Sequence, residues 1–508
     1  MDKVYQWFRW EHVFVSEFEY YNPYSDIILS VEYTGPDESV MEAYGFWDGD
    51  NTFKIRFMFP KPGVWTWRTF CSNPADKSLH NISGSITVEA YSGENPLYAN
   101  GYIKPSSNGR YFTYNNEEPF LWVGDTAWVG PLKASFDEWK QYIDDRAAKN
   151  FSVIQISPAS DWGGSADVNG NKPFTGYSLS KWKPDFWRSF EEKVQYANEK
   201  GIIVFIVGLM EPTFRYPDAI RAQCFARNLT SRLMGNFVAF SPSFDSPFTS
   251  LANLVGHSVR NASSMHLITQ HCNIDMDVVE KYQDESYMDF RSIQTGWDWT
   301  TKSLEVTYRR VREWCTSLYK HQPFKPIVNV EAYYVTEGHL KYQVLSDNAT
   351  PYDNRVTAYT SFLCGAAGYT YGANGIWQWI KGSNVLHNWD EAIKYISSEE
   401  MNYLYQFFSG IRWWELEPAS HLINNQEKEG QKMMVLAKNI SGTLAVAYLP
   451  GNQYILIDMD AFTADMKGKW FNPEKNIYID INQTIPRAGL AGFYTPSGGD
   501  WALLLEGL

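Results

Sequence analysis

The stretch KPIVNVEAYY, Lys325 to Tyr334, decides how this chain is read. Val328, Val330 and their apolar neighbours have the density of a strand covered on both faces, as in a parallel sheet. The run ends on Glu331, beside Tyr333 and Tyr334. A lone carboxylate is costly to take out of water. Glu331 therefore has a partner there or serves chemistry at a strand end.

Seven further strand-like runs surround this one between about Pro119 and Ile411. In order, the eight are FLWVGDTAW, SVIQISPAS, IIVFIVGLME, NFVAFSPSFD, HLITQHCN, DFRSIQTGW, PIVNVEAYY and GYTYGANGIWQW. Helical segments lie between several of them. SFDEWKQYIDDRAAKN opens with Ser135 and Glu138 at capping-box spacing and sets Phe136, Trp139, Tyr142 and Ile143 on one side. DFWRSFEEKVQYANEKG stops at Gly201, a natural C-terminal cap, and SLEVTYRRVREWCTSLYK leads into strand seven. Eight β/α units over some 250–300 residues predict an α/β fold of the (β/α)8 TIM-barrel type.

The flanks have a different rhythm. Up to about Ala90, DIILSVEY, FKIRFMFP, VWTWRTF and GSITVEA alternate between Gly-, Pro- and Asn-containing turns, which predicts an immunoglobulin-like β-sandwich. After about Pro418, MMVLAKN, GTLAVAYLPG, QYILIDMD and GDWALLLEG return to short strands, and a small β-domain is expected. The domain boundaries read as 1–92, 93–415 and 416–508.

Length and composition narrow the function classes. A chain of 508 residues implies more than one core. The net charge of −14, with no Lys/Arg cluster, argues against a nucleic-acid partner. No apolar run reaches the roughly 18 residues that a membrane span needs. The five cysteines, Cys71, Cys224, Cys272, Cys315 and Cys364, lie far apart without a CxxC pair and read as free thiols. MDKVYQWFRWEHVFV carries no basic-then-apolar leader, so the chain reads as cytoplasmic, or as secreted or periplasmic if a leader has been removed. The 17% aromatic content suits sugar faces as well as cores.

Chemistry in such a barrel collects at the C-terminal strand ends. Those ends carry Asp125 with Trp128, Trp162, Glu211, Asp245, His271, Gln294 with Trp297, Glu331, and Trp377 with Trp379. Acids, amides and tryptophans are the side chains a sugar-cleaving site needs, with two carboxylates as the minimum. Glu331 is the candidate nucleophile. Two residues compete as its acid/base partner. Glu211 in LMEP has the Glu-Pro of an Asn-Glu-Pro strand end, but Met210 stands where the Asn would be. Strand counting puts Glu211 after strand three and Asp245 after strand four, across the mouth from strand seven, which favours Asp245.

The other strand-end residues carry alternatives. Asp125 binds substrate hydroxyls or caps a helix start. His271 touches the sugar or the nucleophile, or is structural. Gln294 reaches a hydroxyl or fixes the wall. Trp297, Trp299, Trp377 and Trp379 divide between core and sugar platform. Tyr333 or Tyr334 is expected to hydrogen-bond Glu331 and keep it ionised, while apolar surroundings, with Phe244 among them, keep Asp245 protonated.

Across all eight strands the chain resembles the apiosidase-like glycoside hydrolases, related to glycoside hydrolase family 140. PFLWVGDTAW, SPSFDSP, HLITQH, SIQTGW, KPIVNVEAYY and AGYTYGANGIWQW carry the resemblance. YGFWDGDNTFKIRFMFPKPGVWTW is similar to the β-sandwich that often precedes such barrels, and AVAYLPG with WFNPEK to the small β-domain that often follows. The resemblance implies an aspartate acid/base after strand four and a glutamate nucleophile after strand seven, here Asp245 and Glu331. The family's usual Gly-Gly-Asp is replaced by Ser243, Phe244 and Asp245, which is expected to narrow the site.

The expected activity is retaining hydrolysis that frees a terminal pentose or furanose, such as apiose or arabinose, from a plant-type oligosaccharide or glycoside. No metal or organic cofactor is expected. The long segments DWGGSADVNGNKPFTGYSLSKW and GHLKYQVLSDNATPYDN would wall the pocket and favour exo action. Any self-association would run through the β-domains. The rivals are a non-catalytic carbohydrate-binding barrel and a metal-dependent barrel hydrolase. The latter would call for ligands such as His-x-His at strand one, where only Asp125 stands, with His266 and His271 five apart elsewhere.

Overall fold

The computed structural model describes residues 2–158, 166–175, 179–209, 218–245, 249–272, 276–282, 284–296, 304–337, 349–382, 387–426 and 433–508. Each of the eight expected runs forms a barrel strand. Strands one to four are Trp122–Thr126, Val153–Ile156, Ile203–Val207 and Val238–Ser241. Strands five to eight are Leu267–Ile268, Arg291–Gln294, Ile327–Glu331 and Gly368–Tyr371. They lie in the order 5-4-3-2-1-8-7-6, and every adjacent pair is parallel.

Side chains help to close the gap between strands five and six. The Asp289 N–H donates to the Ile268 carbonyl at 2.8 Å, and the Ile268 N–H donates to the Asp289 carboxylate at 2.8 Å. The Thr269 and Ser292 hydroxyls donate to the carbonyls of Phe290 and Gln270, at 2.8 and 2.5 Å. At the N-terminal end, a three-stranded sheet of Ile103–Pro105, Phe112–Tyr114 and Pro119–Phe120 packs Phe112 against Trp122 and Phe290. This seals the floor, so chemistry is confined to the opposite end.

The helix cues are realised. Ser135 and Glu138 close a capping box at the start of Phe136–Ala148, which buries Trp139, Tyr142 and Ile143. Phe136 departs from expectation and stays 40% exposed, because the first turn lies at the layer's edge. Pro184–Glu199 ends one residue before the Lys200 cap, and Gly201 follows with a φ of 82°, a left-handed conformation that glycine adopts without strain.

The N-terminal sandwich pairs a five-stranded sheet with a three-stranded one around Trp10, Tyr33, Phe57, Phe59, Trp65 and Trp67. Buried ion pairs join it to the barrel. Arg56 meets Glu191 at 2.9 Å and Glu11 at 2.7 Å, and Arg232 meets Asp48 at 2.8 Å and also pairs with Glu191. Charges removed from water this way hold only while every one is paired.

The C-terminal domain is a six-stranded antiparallel sheet with a separate strand pair, Tyr454–Asp458 and Leu490–Tyr494. It docks on the seventh barrel helix, Pro351–Leu363. There Arg355 reaches Asp500 and Glu400, and Tyr359 stacks on Tyr448 at 4.8 Å. All five cysteines are free and buried. Among the described residues, no helix is long and apolar enough to cross a membrane.

Candidate active site

Glu331 is the last residue of strand seven and is buried at the mouth. A register shift in strand six between Ile293 and Gln294 pairs Gln294 with Glu331. The N–H groups of Thr295 and Gly296 then donate to the Glu331 carbonyl, at 2.8 and 3.3 Å. The backbone that carries the carboxylate is therefore fixed from the neighbouring strand.

The carboxylate is oriented from strand one. Trp128 Nε1 donates to the Tyr334 hydroxyl at 2.7 Å, and that hydroxyl donates to Glu331 Oε1 at 2.6 Å. Because Trp128 occupies a lone pair of the hydroxyl, the Tyr334 proton is directed at Glu331. The tyrosine that binds Glu331 is thus Tyr334. Tyr333 is buried where its backbone abuts Gly296. The period-2 rule puts residues 331 and 333 on one side, but the strand ends at Glu331 and the alternation stops with it.

Asp245 lies four residues past strand four with a φ of 49°, a left-handed conformation that Asp tolerates better than most residues. His271 stands between the two carboxylates. Its Nδ1 is 3.7 Å from Asp245 Oδ1, and its Nε2 is 3.3 Å from Glu331 Oε2. The His271 N–H donates to Ser241 Oγ at 2.7 Å, which ties it to strand four. Phe244 stacks on the imidazole, with centroids 5.3 Å apart and planes within 7°. Trp128 meets the Phe244 ring edge-on at 4.7 Å.

One oxygen of Asp245, one of Glu331 and one nitrogen of His271 lie within 4.8 Å of one another, the group of described residues that could hold a metal ion. The imidazole stands between the two acids, and each carboxylate is nearest a different ring nitrogen. His266 adds nothing to the group. It sits before strand five with Nε2 3.0 Å from the Asn236 carbonyl, and burial holds its pKa down at about 4. Incubation with EDTA followed by a turnover assay is expected to leave the rate unchanged.

The division of electrostatic environments is the reverse of the expected one. Burial pushes the Glu331 carboxyl up to about 7, opposed by the Tyr334 hydrogen bond, whereas the Asp245 side chain is 39% exposed. Phe244 covers His271 and Trp128 instead of enclosing Asp245. If the ionised Glu331 is the active form, kcat/KM in the parent should rise with pH to a limb near 7. Tyr334→Phe removes a donor to the carboxylate, so the limb should move to higher pH; a pH–rate profile checks this, with Asp245 and His271 the neighbouring titratable groups.

Asp125 is not at the mouth. Strand alternation turns it toward the helix layer, where its carboxylate pairs with Arg146 and accepts from Tyr142 at 2.8 Å. Both charged side chains are fully buried. Asp125 neither faces a substrate nor caps a helix start. Asp125→Asn should lower stability, since it removes the fully buried one of the two carboxylates that Arg146 meets and leaves Asp145 as its remaining partner; denaturant unfolding measures the loss.

The remaining candidates divide. Trp128, Gln294 and Trp377 lie at the mouth with Glu331. Gln294 is buried, and its Oε1 has no hydrogen-bond partner among the described residues. Trp377 is partly exposed, lies 5.2 Å from the Tyr334 ring, and donates to Asn374 Oδ1 at 2.9 Å. Trp379 is core, stacked on Trp389 at 4.7 Å. Trp162, Glu211, Trp297 and Trp299 lie outside the described residues. Sequence reasoning passed over Asn374, which anchors Trp377; the Ala-Asn-Gly turn after strand eight was the available signal.

A parallel eight-stranded barrel with paired carboxylates at its C-terminal mouth defines a protein of the glycoside hydrolase class. The family model described as "Apiosidase-like, catalytic domain" matches residues 106–415, more than half of the chain. The chain belongs to that family. Residues 3–72 match a domain family of unknown function, DUF5060, and residues 418–506 a proposed collagen-binding domain of a collagenase.

Among solved structures, a proposed glycoside hydrolase from Bacteroides vulgatus ATCC 8482 aligns over 100% of both chains at 16% identity and a TM-score of 0.78. A family 5 glycoside hydrolase from the same organism aligns over 82% of this chain and 96% of its own, at 18% identity and a TM-score of 0.70. A chain titled "Glycoside hydrolase" covers 82% and 99%, at 19% identity and a TM-score of 0.71. These likenesses are of fold. A search of curated proteins finds no match.

Proposed function

We propose that this protein is a retaining exo-glycosidase that releases one terminal sugar, a pentose or furanose such as apiose or arabinose, from a plant-type oligosaccharide or glycoside. The observation that carries the reading is the approach of Asp245 and Glu331, which bring carboxylate oxygens within 4.8 Å of each other. Retaining glycosidases hold their carboxyl groups about 5–5.5 Å apart and inverting ones about 6.5–9.5 Å, to admit a water. A nearest-oxygen spacing of this size puts both acids within reach of one anomeric centre, and the stereochemical course is read from the product.

In this mechanism a Glu331 oxygen attacks the anomeric carbon while Asp245 gives its proton to the leaving glycosidic oxygen. The carbon–oxygen bond breaks and a glycosyl ester forms on Glu331. Asp245, now a carboxylate, takes a proton from the incoming water, whose oxygen displaces Glu331 and frees the sugar. His271 touches both acids and keeps their separation. Gln294, buried beside Glu331 with an Oε1 that has no hydrogen-bond partner among the described residues, is the candidate acceptor for a sugar hydroxyl, and the partly exposed Trp377 ring is the candidate stacking face. The exo assignment rests on the length of the segments after strands two and seven, of which residues 159–165, 176–178 and 338–348 lie outside the described residues.

The test is a panel of aryl glycosides weighted toward pentofuranosides, with NMR of the product anomer at early times. Release of one sugar with its configuration kept is the expected result. Inversion, or products several sugars long, would overturn it.

A further inference from the structure

The partly exposed indole at the mouth, Trp377, stands on the irregular segment that follows strand eight. The chain of strand seven also continues past Glu331, and the two extensions meet. Val335 bridges to Ala373 and to Ala349. The Val335 N–H donates to the Gly372 carbonyl at 2.9 Å, and the Asn374 N–H donates back to the Val335 carbonyl at 2.9 Å. A Cβ on Gly372 would come within 2.4 Å of the Tyr334 ring, so a glycine there lets that ring lie against the strand-eight backbone.

Asn374 joins the two extensions through its side chain as well. Its Oδ1 accepts from Trp377 Nε1 at 2.9 Å, and its Nδ2 donates to Thr336 Oγ1 at 2.7 Å. One carboxamide thereby fixes the indole and grips the segment that leads away from Glu331. The Trp377 ring lies 5.2 Å from the Tyr334 ring with the planes 31° apart, and the Tyr334 hydroxyl is the donor to Glu331. An indole without that acceptor would lose rotamer freedom when a sugar stacks on it. One held in place beforehand avoids that cost and binds more tightly.

We propose that Asn374 is a positioning residue for the substrate: its carboxamide clamps the Trp377 indole in the orientation that receives a sugar ring and ties it to the chain that carries Glu331. The inference rests on the reading of the mouth as a glycosidase site. Asn374 acts on binding and not on the carboxylate, because Trp128 orients the Tyr334 hydroxyl separately, at 2.7 Å. Loss of Asn374 is then a loss of uniform binding, which raises KM and spares kcat.

The experiment compares the full chain with Asn374→Ala, Asn374→Asp, Trp377→Phe and the double variant Asn374→Ala/Trp377→Phe. Kinetics use the aryl glycoside that the panel shows to be cleaved. NMR follows exchange of the Trp377 indole N–H with solvent, its signal being the one that Trp377→Phe removes. Asn374→Ala is expected to raise KM about fivefold or more and to speed the N–H exchange about tenfold, the scale of one hydrogen bond. It should leave kcat within about twofold of the parent and the pH–rate limb near 7 unmoved. Asn374→Asp keeps an acceptor for the indole and should hold both KM and exchange within about twofold of the parent. In the Trp377→Phe background, where that indole N–H is gone, Asn374→Ala should change KM little further. Unchanged N–H exchange in Asn374→Ala overturns the clamp. A loss of kcat with KM kept, or an equal loss in the Trp377→Phe background, means that Asn374 only folds its turn and overturns the positioning role. A parent that cleaves nothing in the panel sinks the glycosidase reading instead, and the exchange rates then decide the clamp on their own.

Discussion

Glu331→Gln is expected to lower turnover by about 10⁴-fold or more, the scale on which loss of one member of a catalytic unit is felt. The substitution keeps the shape of the side chain and removes its nucleophilic oxygen charge. It should also stabilise the protein at pH 8. The Glu331 carboxyl is raised by burial from an ordinary 4.5 to about 7, so its contribution to stability is full below pH 4.5 and is lost as pH climbs through 7. Glutamine carries no such loss. The gain in Tm should therefore be clear at pH 8 and vanish near pH 4. A buried glutamate kept only for packing would give the same pH-dependent gain without the rate loss, so the rate loss carries the assignment. Glu331→Ala with added azide adds a chemical readout: azide attacks once, in place of the carboxylate, and the glycosyl azide should have an inverted anomeric centre.

That Glu331 stands at a strand end was legible from KPIVNVEAYY, because apolar β-branched density and an abrupt charge are both local signals. All eight strands were legible for the same reason. The N-terminal sandwich followed from turn residues at short spacing. What a sequence does not carry is the side of a strand to which a given residue turns when registers shift. Asp125 is the penultimate residue of strand one, where Glu331 is the last of strand seven, and alternation sends it outward to Arg146. Trp379 sits two residues from Trp377 and lies in the core against Trp389. Tyr334 and not Tyr333 reaches Glu331, because the strand stops before the alternation would predict.

The electrostatic misreading has the same root. Burial is a property of the assembled mouth, and the adjacency of Phe244 to Asp245 in sequence does not fix which side chain the ring covers. The Phe244 ring lies instead on His271, which leaves Asp245 open to solvent and Glu331 beneath it. The nucleophile candidate, enclosed and oriented by Trp128 and Tyr334, resists ionisation, because burial raises its carboxyl to about 7. The active pH window should therefore be set from below by Glu331.

Asp245→Asn separates the two roles. As general acid, Asp245 matters in proportion to how poor the leaving group is, and its loss should cost about 10²–10⁴-fold on a natural glycoside. An aryl glycoside with an acidic phenol needs little protonation, so formation of the glycosyl ester on Glu331 should be nearly unimpaired. Hydrolysis of that ester lacks its base and becomes slow. The variant should then show a burst of phenol equal to one enzyme equivalent, followed by a low steady rate. Azide needs no base, so it should speed the second step and give a glycosyl azide of retained configuration, opposite to the product from Glu331→Ala. Mass spectrometry of the stalled enzyme should find the sugar on the peptide that contains Glu331. A variant that loses all substrates equally, with no burst, would mean that Asp245 positions His271 instead of transferring a proton, and the acid would then have to be sought outside this pair.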